Sequence, residues 1–462
     1  MEEQVDVDVL VAGAGACGLI AAIKAHEQGC SVAIVEKFDR FAGNTVLSCG
    51  SIPAAGTRMQ KAAGINDSVS QMIADMERVS GQHDSSHLIA TIVSESARLV
   101  EWLVDYCGVE INLYTNYKHV GHSIPRLHTQ PTGQGSELIN SLAKTVQNKG
   151  IDLAFNNPLR RLRTQQNGAV IGAEIGTKDH YYVVNAKKII IATNGFGANP
   201  SLVKQFCPEL SGSQYFGAQS AQGEAIEWGQ FLDAKLGNVG SYQAHASVAY
   251  PHGELLTWSI TEKGAFFVNR NGCRFGNENK GYSGFAKFVM EQGNEAFAIY
   301  DSNIRDYVCK YQPTYKNLVD MGGAKEYDDL EILCKEFNIN ASNLRQTLEN
   351  YNLSALGQKS DQFGRKDFGL SPLKKPYVIT RVNAALFHTQ GGLMVDEKAH
   401  VLKTDNSIIR NLFAGGGAAV GFSGLQGGDG YVSGNGLLSA TVLGMIAGEN
   451  AALECKNESL RH

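Results

Sequence analysis

The chain has 462 residues, enough for two domains with cores of their own, and 41 basic against 46 acidic side chains leave a net charge of −5. That balance, without a basic stripe, excludes the electrostatic footprint of a nucleic-acid binder, and no apolar run approaches the ~20 residues of a membrane span. Nine scattered cysteines with no CxxC pair argue against a disulfide framework or a structural zinc, so no metal is expected, while 51 glycines suit a cofactor lined by backbone.

The first predicted strand, Val5–Val11, starts so close to Met1 that no room is left for a signal peptide, and a cytoplasmic protein is expected. The strand runs into Gly13-Ala14-Gly15-Ala16-Cys17-Gly18. The first glycine permits a tight turn, the second lets backbone approach a pyrophosphate, and the third lets the following helix, Leu19–Gln28, pack on the strand. A second strand, Ser31–Val35, delivers Glu36 about 20 positions on, where a ribose hydroxyl needs an acceptor. A lone GxGxxG is an ordinary glycine-rich turn, but strand, glycines, helix, strand and acid together predict a dinucleotide site built from Gly13, Gly15, Ala16, Gly18, Glu36 and Lys37.

Helices are predicted over Asp67–Arg78, His87–Cys107 and Ser136–Lys149, and a β-rich stretch covers Ile151–Ala192. Strand Lys187–Thr193 breaks into Asn194-Gly195-Phe196-Gly197, and Asn411–Gly417 repeats that grammar near the C-terminus. Both resemble the later FAD-contacting segments of two-domain flavoproteins, which adds Thr193, Asn194, Gly195 and Gly416 to the cofactor set. Between about Gln243 and Pro376 the glycine-strand grammar stops and helices are predicted over Gly284–Gln292, Ala324–Phe337 and Asn340–Leu356. The expected fold is thus α/β: a Rossmann-type FAD-binding domain (1–242 and 377–462) with an inserted α+β substrate-capping domain (243–376), and the substrate cleft at their seam. A last glycine turn, Ser433-Gly434-Asn435-Gly436, opens an apolar helix over Leu437–Ala452, whose N-terminus offers N–H groups to the electron-rich end of a flavin.

Several further pieces are Gly43-Asn44-Thr45, Gln130-Pro131-Thr132-Gly133, Tyr242-Gln243-Ala244-His245, Arg274-Phe275-Gly276-Asn277-Glu278, His388-Thr389-Gln390-Gly391-Gly392 and Ser433-Gly434-Asn435. Their order along nearly the whole chain resembles the FAD-dependent fumarate reductase and 3-ketosteroid dehydrogenase superfamily. The resemblance implies FAD contacts at Asn44, Thr45, Ser51, Gly434, Asn435 and Leu437. It also implies a non-covalent flavin, because Asn44 stands near the place where related succinate dehydrogenases carry an attachment histidine. In soluble fumarate reductases one arginine past the RFxNE motif donates a proton and another before the GGN turn clamps a carboxylate. Here Tyr282 and Tyr431 hold those places, and tyrosine lacks the planar fork that grips a carboxylate in two parallel bonds. The two site histidines are kept as His245 and His388.

The tyrosine pattern is similar to the ketosteroid dehydrogenase branch. It implies desaturation next to a ring ketone, with Tyr282 as α-proton base, Tyr431 and the Asn435 backbone N–H as carbonyl clamp, Ser433 as relay and His388 beside the carbonyl or ring. The expected partners are a small ring ketone, steroid or cyclohexanone-type, and an unnamed electron acceptor. The rival readings are an enone reductase running the same chemistry backwards, a reductase of unsaturated acids, and a flavin-binding electron carrier without turnover. For an acid substrate Arg58 and Arg126 are the available cations. Tyr114 and Tyr117 are candidates for a further site tyrosine, against a plain role as loop aromatics.

Overall fold

The computed structural model describes residues 4–115 and 118–460, so Tyr117 lies outside the described residues. The chain divides into two compact units, the first made of Met1–Cys207, Gly217–Tyr242 and His388–His462, the second of Pro208–Phe216 and Gln243–Phe387.

The first unit is built on one sheet. Its strands are β1 (Gln4–Ala12), β2 (Val32–Val35), β3 (Asp152–Ala154), β4 (Leu159–Thr164), β5 (Val170–Gly176), β6 (Tyr181–Ile191), β7 (His400–Leu402) and β8 (Ile408–Ala414), in the order β7-β8-β6-β1-β2-β3. β5 pairs with β6 and with β4. The central β8, β6, β1, β2 and β3 run parallel, with Val11 opposite both Ile34 and Ile190. A parallel sheet is covered on both faces, which is why Val9, Leu10 and Val11 are all fully buried, whereas the same strand's first residues, Gln4, Val5 and Asp6, are exposed.

Helix α1 (Ala16–Glu27) follows β1, and helix α2 (Asn435–Ser459) packs against it. Glycine decides how close they come. A Cβ on Gly444 would stand 2.4 Å from Cys17 O, and one on Gly448 2.3 Å from Ala21 O. Among the described residues α2 is the one helix long and apolar enough to cross a membrane, yet 67% of its most apolar window is buried inside the protein. Its composition is that of a core helix: Leu438, Val442, Leu443 and Met445 are fully buried, at roughly 1.5–3 kcal/mol of burial each.

The second unit carries strands Phe266–Val268 and Ala296–Asp301 antiparallel to each other, and the latter antiparallel to Tyr377–Thr389, with Ala298 opposite Thr380. The unit takes in the chain up to Phe387 because residues 377–382 pair with Ala296–Asp301, and it takes in Pro208–Phe216 because Gln214 and Tyr215 pair with Ala385 and Leu386. Residues 324–337 are not one helix. Lys325–Tyr327 is a strand lying against Tyr377–Ile379, and Leu330–Phe337 forms a helix whose N-cap Asp329 accepts the Glu331 N–H. The expected helices at 67–78, 87–107, 136–149, 284–292, 340–356 and 437–452 are present with shifted ends, as Val69–Ser80, His87–Asp105, Gly135–Asn148, Gly281–Glu291, Ala341–Ala355 and α2.

Candidate active site

In the first unit a cleft open to solvent follows the C-terminal ends of the parallel strands. The β1–α1 turn forms one end. Gly13 has φ +104°, and a Cβ there would stand 2.4 Å from Ala192 O; a Cβ on Gly18 would stand 1.9 Å from Gly13 O. Those two glycines serve the turn and its packing. Gly15 differs, since a Cβ on it would meet nothing within 4 Å: the room over its backbone, at the start of α1, is what a pyrophosphate requires. Glu36 is oriented by the backbone N–H groups of Ala14 at 2.9 Å and Phe38 at 3.0 Å.

Gly13, Gly15, Ala16, Glu36, Lys37, Asn44, Thr45, Thr193, Asn194, Gly416 and Leu437 all line this cleft. Gly18, Ser51, Gly195, Gly434 and Asn435 are not in its wall. Ser51 is bonded to Thr129 Oγ1 at 2.7 Å, and Gly195 stands where a Cβ would come 2.2 Å from Thr389 Oγ1. Asn44 is held on both ends of its amide, accepting from the Ala218 N–H at 2.6 Å and donating to Asn194 Oδ1 at 3.2 Å. Thr193 Oγ1 is buried in this wall without a hydrogen-bond partner. A buried hydroxyl is rarely left so, and it fits a polar group of a bound dinucleotide. Sequence reasoning missed Ser220, Glu224 and Trp228 in the wall. Lys37 bonds Ser220 O at 2.7 Å and pairs with the Glu224 carboxylate.

The start of α2 closes the other end of the cleft, through Gly436, Leu437, Ser439 and Ala440, beside His388 and Gln390. The His388 ring lies edge-on to Tyr431, centroids 5.7 Å apart. Burial pushes the His388 imidazole down to about 4, so it is neutral near pH 7. Burial also raises the Tyr431 hydroxyl well above the phenol range, against the opposing pull of the Gly436 and Gly434 backbone N–H groups. Tyr431 is therefore a protonated donor. Ser433 is fixed by its backbone, N–H to Val120 O at 3.0 Å and carbonyl accepting from His122 Nε2 at 2.9 Å. The structure departs from expectation at Asn435, whose backbone N–H donates to Val432 O at 3.0 Å inside the turn.

In the second unit the RFGNE segment is a fastening. Arg274 grips Glu278 through Nε–Oε1 at 3.0 Å and Nη2–Oε2 at 2.6 Å and also pairs with Asp361, all three side chains nearly or fully buried. This fixes the chain entering helix Gly281–Glu291, and Ser283 Oγ accepts the Ala244 N–H at 3.1 Å, tying that helix to the strand bearing His245. Tyr282, in the first turn, consequently stacks on His245 at 4.8 Å and 12°, with Trp258 edge-on at 6.4 Å. His245 Nδ1 accepts the Ser247 N–H at 3.2 Å, so its proton sits on Nε2, and burial pushes the ring down to about 3. Tyr282 faces a neutral imidazole.

The two candidate cations for an acid substrate are both engaged. Arg58 is half-exposed and paired with Asp105, and Arg126 is fully buried between Asp67 and Asp75. No arginine is among the described residues lining the cleft. Tyr114 lies edge-on to His119 at 6.0 Å.

A family model described as FAD binding domain matches residues 8–432. The probable fumarate reductase Ifc3 of Shewanella frigidimarina is 29% identical over 448 residues, covering 96% of this chain and 74% of that protein. Among solved structures, the open conformation of a flavocytochrome c3 fumarate reductase superposes with a TM-score of 0.81 at 28% identity, over 98% of this chain and 79% of that one. The 3-ketosteroid-delta4-(5alpha)-dehydrogenase of Rhodococcus jostii RHA1, in complex with 4-androstene-3,17-dione, superposes with a TM-score of 0.78 at 25% identity, over 97% of both chains. A dinucleotide cleft with an open Gly15 and a match over most of the sequence lead to one conclusion: the chain belongs to the FAD binding domain family and is a flavin-dependent oxidoreductase of the fumarate reductase and ketosteroid dehydrogenase group.

Proposed function

We propose that this flavoenzyme introduces a C=C bond next to the carbonyl of a ring ketone, of 3-ketosteroid or cyclohexanone type. The observation that carries the reading is Tyr431: a buried, protonated hydroxyl next to His388, just before α2, at the place where the resemblance to soluble fumarate reductases calls for a carboxylate-clamping arginine. Such a pair suits a neutral carbonyl oxygen. It offers nothing like the fork that a dicarboxylate calls for.

Desaturation removes an α-proton and a β-hydride. Bound FAD supplies the two-electron acceptor for the hydride. Tyr282 takes the α-proton on its phenolate oxygen, and its ring is aligned by the stack on His245. Tyr431 donates to the ketone oxygen, with a bond that strengthens as enolate charge builds there in the transition state. Ser433, with its backbone pinned by Val120 and His122, is the relay for the proton. The FAD is held without a covalent link.

A second reading runs the same groups in reverse, reducing an enone with electrons from a reduced carrier; the similarity to a fumarate reductase favours it over a protein without turnover. One experiment separates these readings. Under anaerobic conditions a panel of saturated ring ketones should bleach the bound flavin, whereas chemically reduced enzyme should be reoxidised slowly by enones and not at all by fumarate. Rapid reoxidation by enones without bleaching by ketones would establish the reverse reaction, and reoxidation by fumarate would sink both.

A further inference from the structure

His388 is read above as a neighbour of the substrate carbonyl, and which of its nitrogens carries the proton decides what it does there. The answer lies in a chain of buried polar groups behind the ring. Gln390 Nε2 stands 2.9 Å from His388 Nδ1, and the same amide's Oε1 accepts from Ser423 Oγ at 2.8 Å. Ser423 is fully buried and Gln390 nearly so. Both are pinned by backbone: Ser241 Oγ donates to Ser423 O at 2.8 Å, the Gln390 N–H donates to Ser241 O at 2.8 Å, and Gln390 O accepts the Gly421 N–H at 2.7 Å. Asn435 Nδ2 approaches Ser423 Oγ at 3.5 Å, the outer limit of a hydrogen bond.

As the Gln390 and Asn435 amides are oriented, donor and acceptor roles run in one direction along this chain. Asn435 offers its amide hydrogens to Ser423, whose hydroxyl hydrogen then goes to Gln390 Oε1, so the Gln390 NH₂ faces His388. An NH₂ group has only hydrogens to give, and His388 Nδ1 must therefore present its lone pair. The competing contact, Nδ1 to Thr389 O at 3.4 Å, would need a proton on Nδ1. At 2.9 Å against 3.4 Å the glutamine wins. The glycines at 421 and 436 make the slot. A Cβ on Gly421 would stand 2.6 Å from Gln390 Oε1, and one on Gly436 2.6 Å from His388 Cε1 and 3.2 Å from Gln390 Nε2.

We propose that Gln390 is a positioning residue that locks His388 in the Nε2–H tautomer, making this cleft-lining imidazole a neutral hydrogen-bond donor to the substrate's carbonyl oxygen and not a base. The oxygen named here rests on the ring-ketone reading; the tautomer does not. Two donors, His388 Nε2–H and the Tyr431 hydroxyl, then serve one oxygen. Such a pair favours an uncharged carbonyl, because a neutral donor adds no net charge to balance a carboxylate.

The test uses FAD-loaded enzyme with ¹⁵N-labelled histidine, whose ring shifts distinguish the two tautomers. The His388 signals are identified by their loss in His388→Gln. In the parent they should be those of Nε2–H. In Gln390→Glu the carboxylate accepts a proton from Nδ1, so the shifts should move to the Nδ1–H or doubly protonated pattern. Gln390→Met, which keeps the volume without the amide, should give a mixture and weaken ketone binding about tenfold, the loss of one ordinary hydrogen bond. The flavin-to-protein ratio of each variant checks that the fold is kept. An Nδ1–H ring in the parent, or Nε2–H shifts that persist in Gln390→Glu, would overturn the assignment. A tautomer that changes while ketone binding stays at the parent value would overturn the donor role. If no ketone bleaches or binds the parent, the ring-ketone reading falls, and the ¹⁵N shifts still decide what Gln390 does.

Discussion

Arg126 grips Asp67 in two parallel hydrogen bonds, Nε to Oδ2 at 2.8 Å and Nη2 to Oδ1 at 2.9 Å, and both side chains are wholly buried. Its third face meets Asp75 Oδ2 at 2.5 Å. The guanidinium is saturated by the protein's own carboxylates, so it has no fork left for a substrate. Fumarate and succinate should accordingly be turned over at a negligible rate beside a ring ketone. Arg126→Met should act on the fold instead, costing about 3–5 kcal/mol because two buried carboxylates lose their partner. Chemical denaturation reads that loss. A stable Arg126→Met protein that had lost activity on fumarate would show the opposite assignment to be right.

The three glycines of the first turn should separate binding from folding. Gly15→Val places its side chain where a pyrophosphate would lie and meets no protein atom at Cβ, so the protein should fold with an unchanged circular dichroism spectrum and purify colourless. Gly18→Val drives into Gly13 O and should fail to accumulate as folded protein at all. In the parent, acid precipitation should leave all the yellow colour in the supernatant, since Asn44 is an amide held by Ala218 and Asn194. Flavin that stays with the pellet would contradict the non-covalent reading.

Acid should destabilise this protein earlier than its carboxylates alone would. Burial holds His119 and His245 down to about 3 and His122, His128 and His388 down to about 4. In the unfolded chain the same rings protonate near 6.5. Between pH 6.5 and about 4 the unfolded state thus binds more protons, and stability falls with pH at up to about 1.4 kcal/mol per unit per ring. Carboxylates held low, such as Asp75 beside Ser123 and Arg126, act only below about pH 4. His400 has the opposite sign. Paired with Asp396 and Glu454 and raised to about 9, it stabilises below 6.5, and that contribution is lost as pH rises through 9. Denaturation midpoints at pH 7.5, 6 and 5 should fall steeply; a flat profile over that range would rule the buried rings out as the cause.

What the sequence reveals of this molecule follows the range of the interactions. The β1–α1–β2 unit is legible because its glycines, apolar strands and Glu36 lie within one short stretch and each has a local physical reason. The wall formed by Ser220, Glu224 and Trp228 is not, because Lys37 meets Glu224 across 187 residues and neither side carries a local signal. Arg126 could be noticed as a lone cation, but its neutralisation by Asp67, 59 residues earlier, exists only in the folded chain. The strand Lys325–Tyr327 was hidden for a related reason: three residues are too few to show alternation, and the helix behind them extends the apparent period. Asp329, a good N-cap, marked the true helix start.

The two tyrosines should differ in kind when altered. Tyr431 is buried as a protonated donor beside His388, so on the proposed reading Tyr431→Phe removes a bond used in the ground state and more strongly in the enolate-like transition state. Ketone binding should weaken and flavin bleaching should slow together. Tyr282 is stacked on His245, and the role proposed for it is to take the proton without gripping the ketone oxygen. Tyr282→Phe keeps that ring stack, so ketone affinity should stay near the parent value while the maximal bleaching rate falls by roughly 10²–10⁴-fold, the usual range for loss of a general base. Rapid mixing against a series of ketone concentrations yields affinity and maximal rate separately. A Tyr282→Phe enzyme that bleaches at the parent rate would remove this residue from the chemistry, and one that loses affinity but not rate would exchange the two roles.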